Sequence, residues 1–177
     1  IFNRFLKSLN LSEDSEEVLR IVDKLAKIGE AEVLKLLTDI SSEESAKKIL
    51  AYISGVNKEL KSEDFEKTLS HLENLSGGSD EDTKRMRDIY ALVKAVGIED
   101  SVVFDPSITR GLDYYTGVVF ETFLTDLPSI GSVCSGGRFD NLTGLYMKES
   151  ITGVGASIGL DRLLAALEQL GHQKTKA

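Results

Sequence analysis

The run Thr109-Arg110-Gly111-Leu112-Asp113-Tyr114-Tyr115-Thr116-Gly117 brings a guanidinium, a carboxylate and two phenols together between glycines. Arg110 can fork two parallel hydrogen bonds onto a carboxylate or a phosphate. Asp113 can accept from an amine or orient a neighbour. On a strand, Tyr114 and Tyr115 point to opposite faces, so one ring can enter a pocket while the other packs. Gly111 and Gly117 let the backbone approach a ligand or turn sharply. Any one of these residues alone reads as a turn into a strand with a surface ion pair. Together they read as a ligand site.

Two later runs carry further polar groups: Cys134-Ser135-Gly136-Gly137-Arg138-Phe139-Asp140 and Val154-Gly155-Ala156-Ser157-Ile158-Gly159-Leu160-Asp161-Arg162-Leu163-Leu164. Gly153-x-Gly155 followed by Gly159 imitates a dinucleotide fingerprint. That motif needs its third glycine three residues after the second, where this chain has Ile158, and it belongs to a parallel strand-helix unit. Asp161 and Arg162 alone are ordinary charges at a helix start. Cys134 is the only cysteine, with no histidine near it in sequence to activate it, and reads as a small buried strand residue.

In this order the three runs resemble those of histidyl-tRNA synthetases. The first is similar to that family's histidine-binding signature, and the second to its other histidine-pocket segment, usually a Gly-Gly-Arg-Tyr-Asp type of string. The third resembles motif 3 of class II aminoacyl-tRNA synthetases. The likeness is close from Phe104 to Leu170 and rests on position and helical character before that. It implies activation of histidine by ATP and its transfer to tRNA(His). By this resemblance Arg110 is the catalytic group, and Arg110, Tyr114, Tyr115, Ser135, Gly136 and Gly137 bind histidine, with Tyr115 bonded to the imidazole. Gly155, Ser157 and Gly159 would belong to the ATP site, where the small residues at 155 and 157 leave a flat floor for adenine, and Arg162 would contact the γ-phosphate. ATP is then a substrate, and Mg2+ is expected with it. Glu121 is a candidate ligand, weighed against a plain outward-facing strand residue. Three positions depart from the family pattern: Ser157 for glycine, Asp161 for glutamate, and Phe139 for tyrosine, which keeps the ring and loses a hydroxyl.

The resemblance also implies a homodimeric, cytoplasmic protein with no membrane association. Neither the dimer-forming motif 1 nor the arginine-bearing motif 2 is found, nor an anticodon-binding domain after Gly171, and the chain opens on Ile1. A fragment that is inactive by itself is therefore expected. Two synthetase-like alternatives stay open: a histidine-sensing regulatory subunit of histidine biosynthesis, and a module that senses uncharged tRNA in a stress kinase. Retention of both Arg110 and Arg162 favours the ligase.

Composition sets wider bounds. With 177 residues, 41% hydrophobic and 28% charged, the chain can bury a core and form one or two small domains. No apolar run approaches the roughly 18 residues that span a bilayer. The net charge of -8 argues against strong nucleic-acid binding by this segment, since phosphate backbones recruit lysine and arginine clusters. Lys47-Lys48 and Lys84-Arg85-x-Arg87 are minor candidates that read equally as solvated helix faces.

The elements that must position these groups change character at Gly97. Residues 1–100 read as a helical insertion domain. One helix starts at Ser15, carries Val18, Ile21, Val22 and Leu25 on one side and stops at Gly29; a second holds Ala31, Leu34 and Leu37. A third follows the capping box Ser41-x-x-Glu44 with Ala46, Ile49, Leu50 and Ile53 inward, ending at Gly55. A fourth holds Phe65, Leu69 and Leu72, with His71 lacking any partner at metal spacing. A fifth, capped by Ser79, runs from Glu81 to Val96 with Met86, Ile89, Tyr90 and Val93 inward. Residues 101–177 read as part of a catalytic core: strands at Val102–Asp105, Gly117–Leu124, Ser132–Ser135 and Gly153–Ile158, then a helix at Leu160–Leu170 with Leu163, Leu164, Leu167 and Leu170 along one side. The fold class is α+β, a helical domain followed by a class II synthetase-like antiparallel sheet with a closing helix.

Overall fold

Among the described residues seven α-helices lead and three antiparallel strands follow, which is the α+β arrangement. The computed structural model describes residues 1–54, 64–108, 115–142, 144, 146–149 and 151–172. The helices are α1 (Phe2–Ser8), α2 (Ser15–Val22), α3 (Leu25–Ile28), α4 (Glu30–Ile40), α5 (Glu43–Ser54), α6 (Phe65–Leu75) and α7 (Glu81–Ala95). After them come β1 (Val119–Thr122), β2 (Cys134–Phe139), β3 (Gly153–Ile158) and α8 (Leu160–Gln169). The chain divides into two compact units, Ile1–Thr109 and Arg110–Ala177. Residues 102–105, expected as a strand, form none; Phe104 packs against the helical core, its ring 5.2 Å from that of Phe65.

Periodicity marks the core of the first unit well. Val18, Ile21, Val22, Leu37, Ala46, Ile49, Leu50, Ile53, Phe65, Leu69 and Leu72 are all buried. In α4, however, the buried residues are Val33 and Leu37, while Ala31 is exposed. Helix α1 is too short to declare itself by period, yet Phe5 and Leu6 are fully inside, and the Phe5 ring stacks on Tyr52 at 4.5 Å. Burial among these apolar groups raises the Tyr52 phenol far above its usual range, against a smaller lowering by Arg4. The single helix expected from Ser15 to Gly29 is two, α2 and α3, parted at Asp23 and Lys24.

Caps fall one residue away from the expected ones. Ser42, not Ser41, accepts the Ser45 N–H at 3.1 Å, while the Ser41 hydroxyl donates to the Leu37 carbonyl at the end of α4. Glu44 is occupied by Lys48 at 2.7 Å. Helix α7 is capped by Asp80 rather than Ser79, in a reciprocal box: Asp80 Oδ1 accepts the Thr83 N–H and Thr83 Oγ1 accepts the Asp80 N–H, both at 3.0 Å. A carboxylate there also faces the positive end of the helix dipole.

Arg87 ties α7 to α6. Its guanidinium grips both oxygens of Glu73 at 2.7 Å and reaches Glu66 at 2.7 Å as well. Glu73 is nearly buried, and the hydrogen bonds from Arg87 hold its carboxyl at about 2, against a smaller upward push from burial. A depressed carboxyl contributes stability that is present above its unfolded value of 4.5 and is lost as pH falls through the folded value. Glu73→Gln is therefore expected to lower stability at neutral pH by up to about 3 kcal/mol, and to flatten the acid limb between roughly pH 4.5 and 2. Denaturant unfolding against pH checks this; parallel acid limbs in the two proteins would show that the pair contributes nothing.

In the second unit the sheet order is β1-β2-β3, antiparallel throughout. Strand β2 does not end at Ser135 but continues through both glycines to Phe139. Those glycines leave room for rings from neighbouring segments, so they extend the strand where a sequence reading ends it. On α8, Ala166 is buried and Leu163 and Leu170 are half-buried, whereas Leu164 and Leu167 are 47% and 43% exposed. The expected leucine face is thus split, with Ala166 as its centre.

Candidate functional site

Alternation along the strands sorts side chains onto two faces, and the register then aligns them across the sheet. Ser135 pairs with Glu121 on one side and Ser157 on the other, making a polar row. Gly137 pairs with Val119 and Gly155 in a second row on the same face, and Phe139 with Gly153 in a third. Gly136 belongs to the opposite face with Phe120, Cys134, Arg138, Val154, Ala156 and Ile158. There the Phe120 ring lies over it, and Cys134 is half-buried with a free thiol.

Two rings lie on the face that carries the polar row. A Cβ built on Gly137 would stand 2.8 Å from Tyr115 Cδ1, which puts that ring against the glycine. A Cβ on Gly153 would stand 2.5 Å from Phe139 Cε2, and one on Gly155 3.3 Å from Phe139 Cε1. Phe139 therefore covers Gly155, the residue expected to be open floor. Ser157, next on that face, is exposed.

Tyr115 is held by the residues around it. The Thr116 N–H donates to the Arg138 carbonyl at 2.9 Å, and the Thr116 hydroxyl to Asp140 Oδ2 at 2.9 Å. Arg138 Nε donates to the same carboxylate at 3.0 Å. Arg138 and Asp140 thus lock the Tyr115 segment to the far end of β2. At the other end of the sheet, Gly159 follows β3 and its N–H donates to the Val133 carbonyl at 2.8 Å. Arg162, in the first turn of α8, donates from Nη1 to the Ser132 carbonyl at 2.6 Å.

The face consequently has an order: the Tyr115 and Phe139 rings at one end, the row Glu121, Ser135 and Ser157 in the middle, then Gly159 and the Arg162 guanidinium. From Gly155 to Gly159 is roughly 13 Å of extended chain. Such a surface offers two aromatic rings and hydroxyl and carboxylate groups, with a guanidinium held at the Ser132 carbonyl beyond the end of β3. Arg110 and Tyr114, together with Gly111 and Asp113, lie outside the described residues. Sequence reasoning missed the contact between Arg162 and the segment at Ser132; the Pro128-to-Gly131 turn was the only local hint of a fixed loop there.

The basic residues proposed for nucleic acid are largely spent on internal pairs. Lys47 bonds Glu43 at 2.6 Å, Lys48 bonds Glu44, and Arg87 holds Glu66 and Glu73. Each lysine, by hydrogen bond first and charge second, lowers the carboxyl of its glutamate partner. Lys84 and Arg85 remain exposed on α7. His71 is exposed, and among the described residues no group of three or more His, Cys, Asp or Glu is arranged to hold a metal. No helix among them is long and apolar enough to cross a membrane.

Residues 1–163 match the family model described as histidyl-tRNA synthetase. Over 177 residues the chain is 94% identical to the histidine–tRNA ligase of Treponema denticola, all of this chain against 40% of that relative. It is 54% identical over 174 residues to the corresponding ligase of Treponema pallidum (strain Nichols), covering 98% of this chain and 39% of the relative. The chain thus spans about two fifths of the length of these curated relatives. Its structure is similar to the crystal structure of histidyl-tRNA synthetase from Nostoc sp. PCC 7120, with TM-score 0.85 and 34% identity over 99% of this chain and 41% of the other. An ATP phosphoribosyltransferase regulatory subunit/histidyl-tRNA synthetase from Bacillus halodurans shares the fold at TM-score 0.71 and 19% identity, covering 93% of this chain and 41% of that one.

Proposed function

Because this chain belongs to the histidyl-tRNA synthetase family, we propose that the full-length protein carrying it is a histidine–tRNA ligase, which activates histidine with ATP and transfers it to tRNA(His). The observation that carries the reading is the shared sheet face. Tyr115, Ser135 and Gly137, from the two segments resembling histidine-binding ones, stand beside Gly155 and Ser157 of the third segment, with Arg162 beyond. Gly136 joins Ser135 and Gly137 through its backbone only, its Cα being directed to the other side of the sheet under Phe120. Gly155 serves by letting Phe139 lie flat, so Phe139 forms part of the floor.

On this reading residues 1–100 are the helical insertion domain and 101–177 part of the catalytic core. Histidine sits with its imidazole at Tyr115 and its carboxylate toward Arg110. That carboxylate attacks the α-phosphorus of ATP and pyrophosphate leaves; a hydroxyl of the terminal ribose of tRNA then attacks the carbonyl carbon of the adenylate, the acyl–phosphate bond breaks and AMP leaves. Arg110 steadies the carboxylate and the transferring phosphoryl oxygens, and Arg162 the γ-phosphate. Magnesium would enter with ATP and neutralise phosphate charge, and Glu121, in the polar row, would be the residue to offer it a carboxylate. The protein works as a cytoplasmic homodimer.

Histidine-dependent ATP–pyrophosphate exchange by the full-length protein tests the function, and its absence would defeat the proposal. Within that assay Tyr115→Phe is expected to raise the histidine KM about tenfold, the worth of one buried hydrogen bond to the substrate, and to leave the ATP KM in place. An unchanged histidine KM removes Tyr115 from the pocket.

A further inference from the structure

We propose that the segment Gly131-Ser132-Val133 is a brace that holds the Arg162 guanidinium in its phosphate-binding posture, a proposal that rests on the ATP role assigned to Arg162 above. Arginine has five N–H donors, and a long side chain gives up much rotamer freedom when it binds. A fixed carbonyl that occupies one donor removes part of that freedom beforehand and leaves the rest of the fork for phosphate oxygens. Ser132 supplies that carbonyl, 2.6 Å from Nη1.

The brace is itself anchored on every side. The Gly131 N–H donates to the Pro128 carbonyl at 3.1 Å, the Ser132 hydroxyl to the Cys134 carbonyl at 3.1 Å, and the Val133 N–H to the Thr122 carbonyl at 2.8 Å. The Val133 carbonyl accepts from Gly159, the residue that caps α8, so brace and helix start are one hydrogen-bonded piece. The aliphatic stem of Arg162 lies along Gly159, where a Cβ would meet its Cβ and Cδ at 3.8 and 3.9 Å. Gly131 has φ 80 and ψ -166, a combination essentially confined to glycine, and a Cβ built on it would stand 3.5 Å from Arg162 Nη1. An alanine there finds ordinary contact with Arg162; its effect comes through the backbone, which must leave this conformation and carry the Ser132 carbonyl with it.

The test is ATP–pyrophosphate exchange by the full-length enzyme in a cycle of variants. Gly131→Ala is expected to raise the ATP KM on the order of tenfold while the histidine KM stays within about twofold, as suits a small misplacement of one binding group. Ser132→Ala, which removes only the hydroxyl bond to Cys134 and introduces no backbone strain, should raise the ATP KM about threefold. Both effects should vanish in an Arg162→Ala background, because the brace acts through that arginine. The proposal is overturned if neither loop variant moves the ATP KM, if their effects persist at full size without Arg162, or if the histidine KM rises in parallel, which signals general loss of structure. Arg162→Ala alone separates the two readings. A raised ATP KM there with inert loop variants sinks the brace and leaves the phosphate contact standing, whereas an unchanged one sinks both.

Discussion

Gly136→Ala is expected to destroy the sheet and with it all histidine-dependent exchange, at a stability cost of about 3 kcal/mol or more. Gly136 is buried in the central strand. A methyl group there would fall on the Gly155 carbonyl oxygen and stand 2.6 Å from Phe120 Cζ and 2.9 Å from the Ala156 Cα. Two of those three atoms are backbone of the neighbouring strand, which cannot rotate aside, so the ladder between β2 and β3 must open. Overpacking against movable side chains costs about 1–3 kcal/mol, and rigid neighbours put this case at or above the top of that range. Gly144→Ala is the control, since nothing lies within 4 Å of a Cβ there, and it should stay within about 0.5 kcal/mol of wild type. Thermal unfolding of the full-length protein reads both; a Gly136→Ala protein that melts with wild type would mean the strand packing is not as described.

Arg110→Ala in the full-length enzyme is expected to slow histidine activation by on the order of 10² to 10³, the scale for one preorganised electrostatic group. Activation brings a carboxylate against a polyphosphate, so negative charge must be gathered before any bond forms. A planar guanidinium answers both partners with parallel hydrogen bonds, which an ammonium on a flexible stem cannot do; Arg110→Lys should therefore recover little of the loss. The fold should be unaffected, so unfolding curves that match wild type alongside the collapsed rate would locate the defect in chemistry. Pyrophosphate exchange at near wild-type rate would remove Arg110 from the reaction.

The helical unit was largely legible because amphipathic periodicity is local: α5 and α6 bury Ala46, Ile49, Leu50, Ile53, Phe65, Leu69 and Leu72 as their spacing requires. Caps were less legible, since Ser41 and Ser42, or Ser79 and Asp80, are chemically similar neighbours and only the path of the chain chooses between them. Helix α1 escaped notice because seven residues hold too few turns to show a period.

At the candidate site, the residue types and their order along the chain were written in the sequence: Tyr115, Ser135, Gly137, Gly155, Ser157 and Arg162 were all marked by motif, and β3 by its glycines and small side chains. What no motif contains is which of them share a side. Register decides that, through the pairs Ser135 with Ser157 and Gly137 with Gly155, and it turns Gly136 away from them. Packing decides that Phe139 covers Gly155 and that Arg162 rests on the Ser132 carbonyl. Motifs are strings of neighbours, and strand pairing joins residues about twenty positions apart, so only the assembled sheet carries that information.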